Sequence, residues 1–174
     1  MAEKFDKKEL LLVGGLILLA AIMRLVPHWP NFTPIGAMAL LGGAYLKNRS
    51  QAFIVPLAAM FLSDLVIGFH GGMWAVYIAF AITVVLGMTL RNKVSVSRTA
   101  LTALASSVIF FVVTNFAVWM SGFLYPKTAA GLAQCFVMAI PFFHYSVLGD
   151  LFYTGILFTA YHLAVTRYPG FSKA

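Results

Sequence analysis

The sequence predicts an all-α integral membrane protein of six transmembrane helices, with a short interfacial helix before the last. Three observations predict it. The chain has 174 residues, 61% of them hydrophobic and only 10% charged, at a mean hydropathy of +0.92. A soluble domain of this size leaves too much of its surface wet to hide that much apolar area, so the bilayer is the solvent. Pro, Gly and Asn break the apolar sequence into segments near the roughly 20 residues that a membrane crossing needs. The basic residues cluster at alternate breaks, as the positive-inside rule requires.

The first helix is expected over 8–26, between Lys4, Lys7, Lys8 and the prolines Pro27, Pro30 and Pro34. A basic start and an apolar run also mark signal peptides, but no small-x-small cleavage site precedes a soluble domain, so the segment reads as a retained helix. The second helix, 35–47, is short, which implies tilt or a start below the membrane surface. Thr33 reads as its cap and Pro34 as its first residue. Ala39 and Gly43, four apart, permit close contact with another helix, internal or on a partner subunit. Breaks at Asn48 to Ser50, at Gly71-Gly72 and at Asn92 to Ser97 delimit helices 51–68, 74–91 and 98–121. After Gly122 and Pro126, residues 128–140 are apolar but too short to span, and read as an interfacial or re-entrant helix before Pro141. The last helix is expected over 145–167. Residues 1–174 make a single transmembrane domain with no room for a soluble one.

The net charge of +7 reflects loop bias rather than nucleic-acid binding. With the N-terminus inside, Lys4, Lys7, Lys8, Lys47, Arg49, Arg91, Lys93, Arg98, Arg167 and Lys173 fall on the cytoplasmic side, ten of the twelve basic residues. Both termini are therefore expected in the cytoplasm. The lone Cys135 allows no intramolecular disulfide and reads as a small packing residue.

Unusual residues gather in the outer half of this topology. Arg24, His28, Trp29 and Asn31 lie at the first outer turn, Asp64 near the outer end of helix three, and His70 and Trp74 around the next outer loop. Asn115 and Trp119 end helix five, and His144, Tyr145 and Asp150 open helix six. Only His162 lies toward the inside. A through-pore needs polar residues across the membrane; this pattern makes a cup open to the outside above a dry floor. Within it, Asp64 and Asp150 share a local sequence, Leu62-Ser63-Asp64-Leu65 and Leu148-Gly149-Asp150-Leu151. A carboxylate at mid-membrane costs roughly 2.5–3.5 kcal/mol on insertion scales, so each needs a partner or a polar cavity. Three readings stand for them: an ion pair or triad with Arg24, ligand contact, or proton or cation coupling. Asn31-Phe32 precedes Asp64 by 33 residues and Asn115-Phe116 precedes Asp150 by 35, an echo consistent with two inverted halves of three helices.

No Gly-x-x-x-x-Gly-Lys-Ser/Thr, His-Glu-x-x-His or Gly-x-Ser-x-Gly motif is present, so neither ATP hydrolysis nor a common hydrolase chemistry is expected. His28, His70 and His144 come from separate loops without close metal-ligand spacing, so no metal and no cofactor are expected. The chain reads as a binding protein and not as an enzyme.

The run Arg24-Leu-Val-Pro27-His28-Trp-Pro30-Asn31-Phe-Thr-Pro34-Ile-Gly36-Ala-Met-Ala carries a resemblance. So do Val55-Pro56-Leu-Ala-Ala-Met60, Leu62-Ser-Asp64-Leu, Thr114-Asn115-Phe-Ala-Val-Trp119, Leu124-Tyr-Pro126-Lys-Thr128, Ala139-Ile-Pro141-Phe-Phe143 and Gly149-Asp150-Leu. Together they cover most of 24–155 and resemble a family of small bacterial transport-type membrane proteins of unknown function. That family is similar to the substrate-binding (S) components of energy-coupling-factor (ECF) vitamin transporters. The resemblance implies six helices and an outer-face site for a vitamin-like micronutrient. It also implies a transmembrane coupling subunit and cytoplasmic ATPases as partners. The Ala-x-x-x-Ala docking pattern common on helix one of such components is absent here, where Gly14-Gly15 and Ala20-Ala21 stand instead.

The expectation is a bacterial inner-membrane protein that captures a small water-soluble nutrient for import. Its expected site residues are Arg24, Asn31, Asp64, Asn115, Trp119, His144 and Asp150. Arg24 and the aspartates would handle charge, the asparagines would read hydrogen-bonding edges, Trp119 would stack, and 122–143 would form a lid. The alternatives are a solitary ion-coupled transporter using Asp64 or Asp150, a membrane enzyme, and a structural partner subunit.

Overall fold

The computed structural model describes residues 7–168, and its regular structure is helical throughout. The helices are α1 (Lys7–Met23), α2 (Ile35–Tyr45), α3 (Arg49–Ile67), α4 (Met73–Met88), α5 (Val96–Ser121) and α6 (Ala129–Arg167). Of these, α3, α5 and α6 are long and apolar enough to cross a membrane. The others are shorter, with α1 at 17 residues, α2 at 11 and α4 at 16. Leu11, Val66, Leu101 and Val137 stay more than 60% exposed, the outward apolar surface expected of helices solvated by lipid. Lys4 and Lys173, two of the residues assigned to the basic end, lie outside the described residues.

Polar caps start three of the helices where the breaks predict. Asn48 Oδ1 accepts from Gln51 N at 3.2 Å before α3, Ser95 Oγ from Arg98 N at 3.4 Å before α5, and Thr128 Oγ1 from Gly131 N at 3.1 Å before α6. Gly122 ends α5 in the left-handed conformation at φ 70°, which a residue with a Cβ resists. At α2 the expectation fails. The helix begins at Ile35, Pro34 holds the cap position, and no side chain caps it, so Thr33 is not the N-cap.

The shortest helix is the central one. α2 touches all five others, and nine of its eleven residues are buried. A helix surrounded on every side must be thin, and Gly36, Ala37, Ala39, Gly42, Gly43 and Ala44 make it so. Against α4 the contact is backbone on backbone. A Cβ on Gly43 would overlap Val84 O and crowd the Gly87 Cα, and one on Gly87 would overlap Leu40 O. The small pair Ala39 and Gly43 therefore serves an internal contact. Beyond it, Arg91 donates from Nε to Gly43 O at 3.0 Å and from Nη2 to Leu46 O at 2.6 Å, satisfying carbonyls at the end of α2.

The separate interfacial helix is a second correction. Residues 129–167 form one continuous 39-residue helix with Pro141 inside it. Such a helix is about 58 Å long, nearly twice the ~30 Å hydrocarbon core, so in a membrane it would tilt or extend beyond the bilayer. Pro141 removes one N–H from the ladder, which packed neighbouring helices allow a membrane helix to tolerate. The expected lid 122–143 is thus a short loop followed by the first turns of α6.

Candidate functional site

Two carboxylates in near-identical sequence contexts occupy different surroundings. Asp64 is 3% exposed and pairs with Arg24, Nη1 to Oδ1 at 2.7 Å. Its other oxygen accepts from the Tyr77 hydroxyl at 2.8 Å. Arg24, just past the end of α1, also donates from Nη1 to Ser63 Oγ at 2.5 Å and to Met60 O at 3.4 Å. Both oxygens of Asp64 are engaged and the charges cancel, so the cluster welds α1, α3 and α4 together. Of the three readings of Asp64, the ion pair is the one the geometry shows.

Asp150, on α6, has no such partner. It is 8% exposed, and its Oδ2 accepts from Ser107 Oγ on α5 at 2.6 Å. Among the described residues no cation pairs with it. Opposite stands Gly36 of α2, where a Cβ would overlap the carboxylate. The carboxylate opens instead on a cavity of about 690 Å³ that runs among α2, α4, α5 and α6. Asn31, His70, Gly71, Phe123 and Leu124, all exposed, form the rim where three inter-helix segments meet. Deeper, Thr83 and Ser106 share a hydrogen bond at 2.9 Å, and Ser146 and Asp150 add polar atoms. The walls are aromatic, chiefly Phe110, Phe111, Phe142 and Phe143, with Trp74 and Phe80.

The predicted residues divide accordingly. Arg24, Asn31, Asn115 and Asp150 line the cavity, whereas Asp64, Trp119 and His144 do not. Asn31 sits at the mouth in the left-handed conformation, φ 64°, which Asn tolerates better than most residues. Asn115 donates from Nδ2 to Phe111 O at 2.7 Å one turn back, so its amide is already tied to its own helix. Trp119 donates from Nε1 to Pro126 O at 3.1 Å and rests on Phe116, holding the loop after α5 rather than a ligand. His144 is exposed, against Tyr145 at 3.9 Å. Among the described residues no group of three or more His, Cys, Asp or Glu gathers to hold a metal.

Sequence reasoning missed Gly36, Thr83, Ser106, Ser107 and Ser146. A signal existed for two of them: Ser106-Ser107 interrupts the apolar course of α5 in mid-helix, where hydroxyls normally need a reason. The four phenylalanines carried none, since a phenylalanine that faces lipid reads the same as one that faces a cavity.

Fold and cavity together define an all-α protein with helices able to cross a membrane, arranged around a chamber with a buried carboxylate. The chain belongs to a family of unknown function, DUF6580, whose profile matches residues 4–171. No curated protein and no solved structure matches the chain.

Proposed function

We propose that this chain is a six-pass protein of the bacterial inner membrane, with both termini cytoplasmic, that captures a small water-soluble micronutrient at the extracellular face for import. The chamber carries this reading. Its size lies within the roughly 300–1,000 Å³ of small-molecule sites, and it combines aromatic walls with few polar groups, as such sites do. It opens among the segments that bear few basic residues, which the positive-inside rule assigns to the outside. Binding rather than catalysis is the role we assign, and the resemblance to S components makes a coupling subunit with ATPases the proposed partners.

The test is native mass spectrometry of the gently purified protein, with identification of small molecules released on denaturation. A stoichiometric metabolite is expected. Stoichiometric lipid alone, or an empty protein that takes up no metabolite from a cell extract, would sink the capture reading.

A second reading has its own observation. Thr154 lies one turn beyond Asp150 on α6, buried, with its hydroxyl unpartnered. A polar atom without a partner below an unpaired carboxylate suits a solitary transporter whose coupling ion is carried at Asp150. Asp64, held by Arg24 and Tyr77, is not available for that role. In this case liposomes containing only this chain accumulate substrate under a proton or sodium gradient, and Asp150→Asn abolishes the accumulation. Uptake that ignores both gradients would dismiss it.

A further inference from the structure

The chamber's charge balance narrows what it can hold. The acidic and basic groups in and beside it are Arg24, Asp64 and Asp150, with His70 out at the rim. Arg24 and Asp64 neutralise each other, and the guanidinium is further committed to Ser63 and Met60. What remains is Asp150 at the depth of the chamber, a buried carboxyl group that faces its space with no cation beside it, and that a bound cation would hold as the carboxylate. A carboxylate has about four lone-pair sites; among the described residues one hydroxyl, Ser107 Oγ, donates to it. An anionic ligand would meet that carboxyl group with no uncompensated arginine or lysine in the lining, because the charge of Arg24 is already balanced by Asp64. A cationic ligand supplies the missing counter-charge and donors at once. The walls favour the same sign: the negative faces of Phe and Trp rings attract cations, most strongly where water is excluded.

We propose that the chamber takes a small organic monocation with a planar, N–H-bearing head, such as an amidinium or protonated amino-heterocycle. Its donors meet Asp150, and its ring lies against Phe110, Phe111, Phe142 and Phe143. Gly36 is glycine so that the carboxylate keeps its position. Ser107, which holds Oδ2, is a positioning residue. The inference rests on the capture reading and names its substrate class.

The test uses isosteric probes of different charge: benzamidinium, benzamide and benzoate. Binding is followed by saturation-transfer NMR with the protein in phosphatidylcholine nanodiscs, whose zwitterionic lipid does not select cations, against empty discs. Benzamidinium is expected to bind roughly tenfold or more tightly than the others, the scale of a charge-assisted hydrogen bond. Asp150→Asn should erase that preference, and Ala139→Trp, which puts an indole among the lining residues and obstructs the chamber, should remove binding. Should the Asp150 variant fail to fold, the order of the probes on the unaltered protein decides alone. Benzamide or benzoate binding as tightly as benzamidinium, and lost in Ala139→Trp, overturns the cationic class and leaves capture standing. Absence of any binding sensitive to Ala139→Trp overturns the class. If the unaltered protein also releases nothing small on denaturation, capture falls with it.

Discussion

Arg24→Met is expected to destabilise the protein by about 3–5 kcal/mol, the range for removing one partner of a buried ion pair. The guanidinium is 12% exposed and the Asp64 side chain 4%, so a carboxylate left behind has little water to turn to. Tyr77 would remain as a donor to one oxygen, and the other would lose its partner. The reverse change, Asp64→Asn, should cost less. An amide still accepts from Tyr77, and Arg24 sits past the end of α1, where a long side chain can turn toward water. The double variant Arg24→Met/Asp64→Asn should recover much of the loss, because it leaves no uncompensated charge. The chain contains its own reporter: Cys135 is the sole cysteine and is 1% exposed, so a thiol-reactive fluorophore labels it as the fold opens. Equal labelling temperatures for Arg24→Met and the unaltered protein would show that the ion pair contributes no stability. No recovery in the double variant would show that the two side chains are not coupled.

Why two matching tetrapeptides lead to different roles comes down to the residue before each aspartate. Ser63 places a hydroxyl in the Arg24 cluster, where it accepts from the guanidinium and donates to Met60 O at 2.7 Å. Gly149 places nothing, and that allows the chain at Phe32 and Thr33 to pass within about 3.1 Å of where a Cβ would stand. Close passage of that segment brings the start of α2, with Gly36, against Asp150. The serine makes one carboxylate part of a weld, and the glycine leaves the other beside a cavity.

Much of the helical layout was legible. The breaks at Asn48, at Gly71-Gly72, at Asn92 to Ser97 and at Gly122 are where the helices end and begin, because turn chemistry and capping act locally. Pro141 misled, since a proline after a short apolar segment reads as a stop, while a bundle can carry it inside a helix. The site was legible only in part, and the reason is the solvent. In water, polar and apolar residues alternate with the helical period and reveal the buried face. In lipid both faces are apolar, so Phe61, exposed on α3, and Phe80, buried on α4, look alike in sequence. What the sequence could flag was the sparse polar set. Of it, Arg24, Asn31, Asn115 and Asp150 line the chamber, while Trp119 had a hydrogen-bond partner of its own in the adjoining loop.

The other large effect lies at the crossing of α2 and α4. Gly43→Ala is expected to lower the labelling temperature of Cys135 by several degrees, and Gly43→Leu to prevent recovery of a monodisperse protein. Overpacking a well-filled interior ordinarily costs about 1–3 kcal/mol because side chains can shift. Here the obstacle is main chain: the added carbon meets the Val84 carbonyl oxygen, the Gly87 Cα and the Met88 nitrogen. Only separation of the helices relieves it, and α2, in contact with every other helix, cannot move without disturbing them all. Gly15→Ala is the internal comparison. It lies in α1 with nothing within 4 Å of the added carbon, so the gain in helix propensity of roughly 0.5–1 kcal/mol should act unopposed and raise stability slightly. The same substitution is therefore expected to have opposite signs at two helical glycines. If Gly43→Ala proves as stable as the unaltered chain, α2 and α4 do not meet backbone to backbone, and the chamber they wall with α5 and α6 has a different shape.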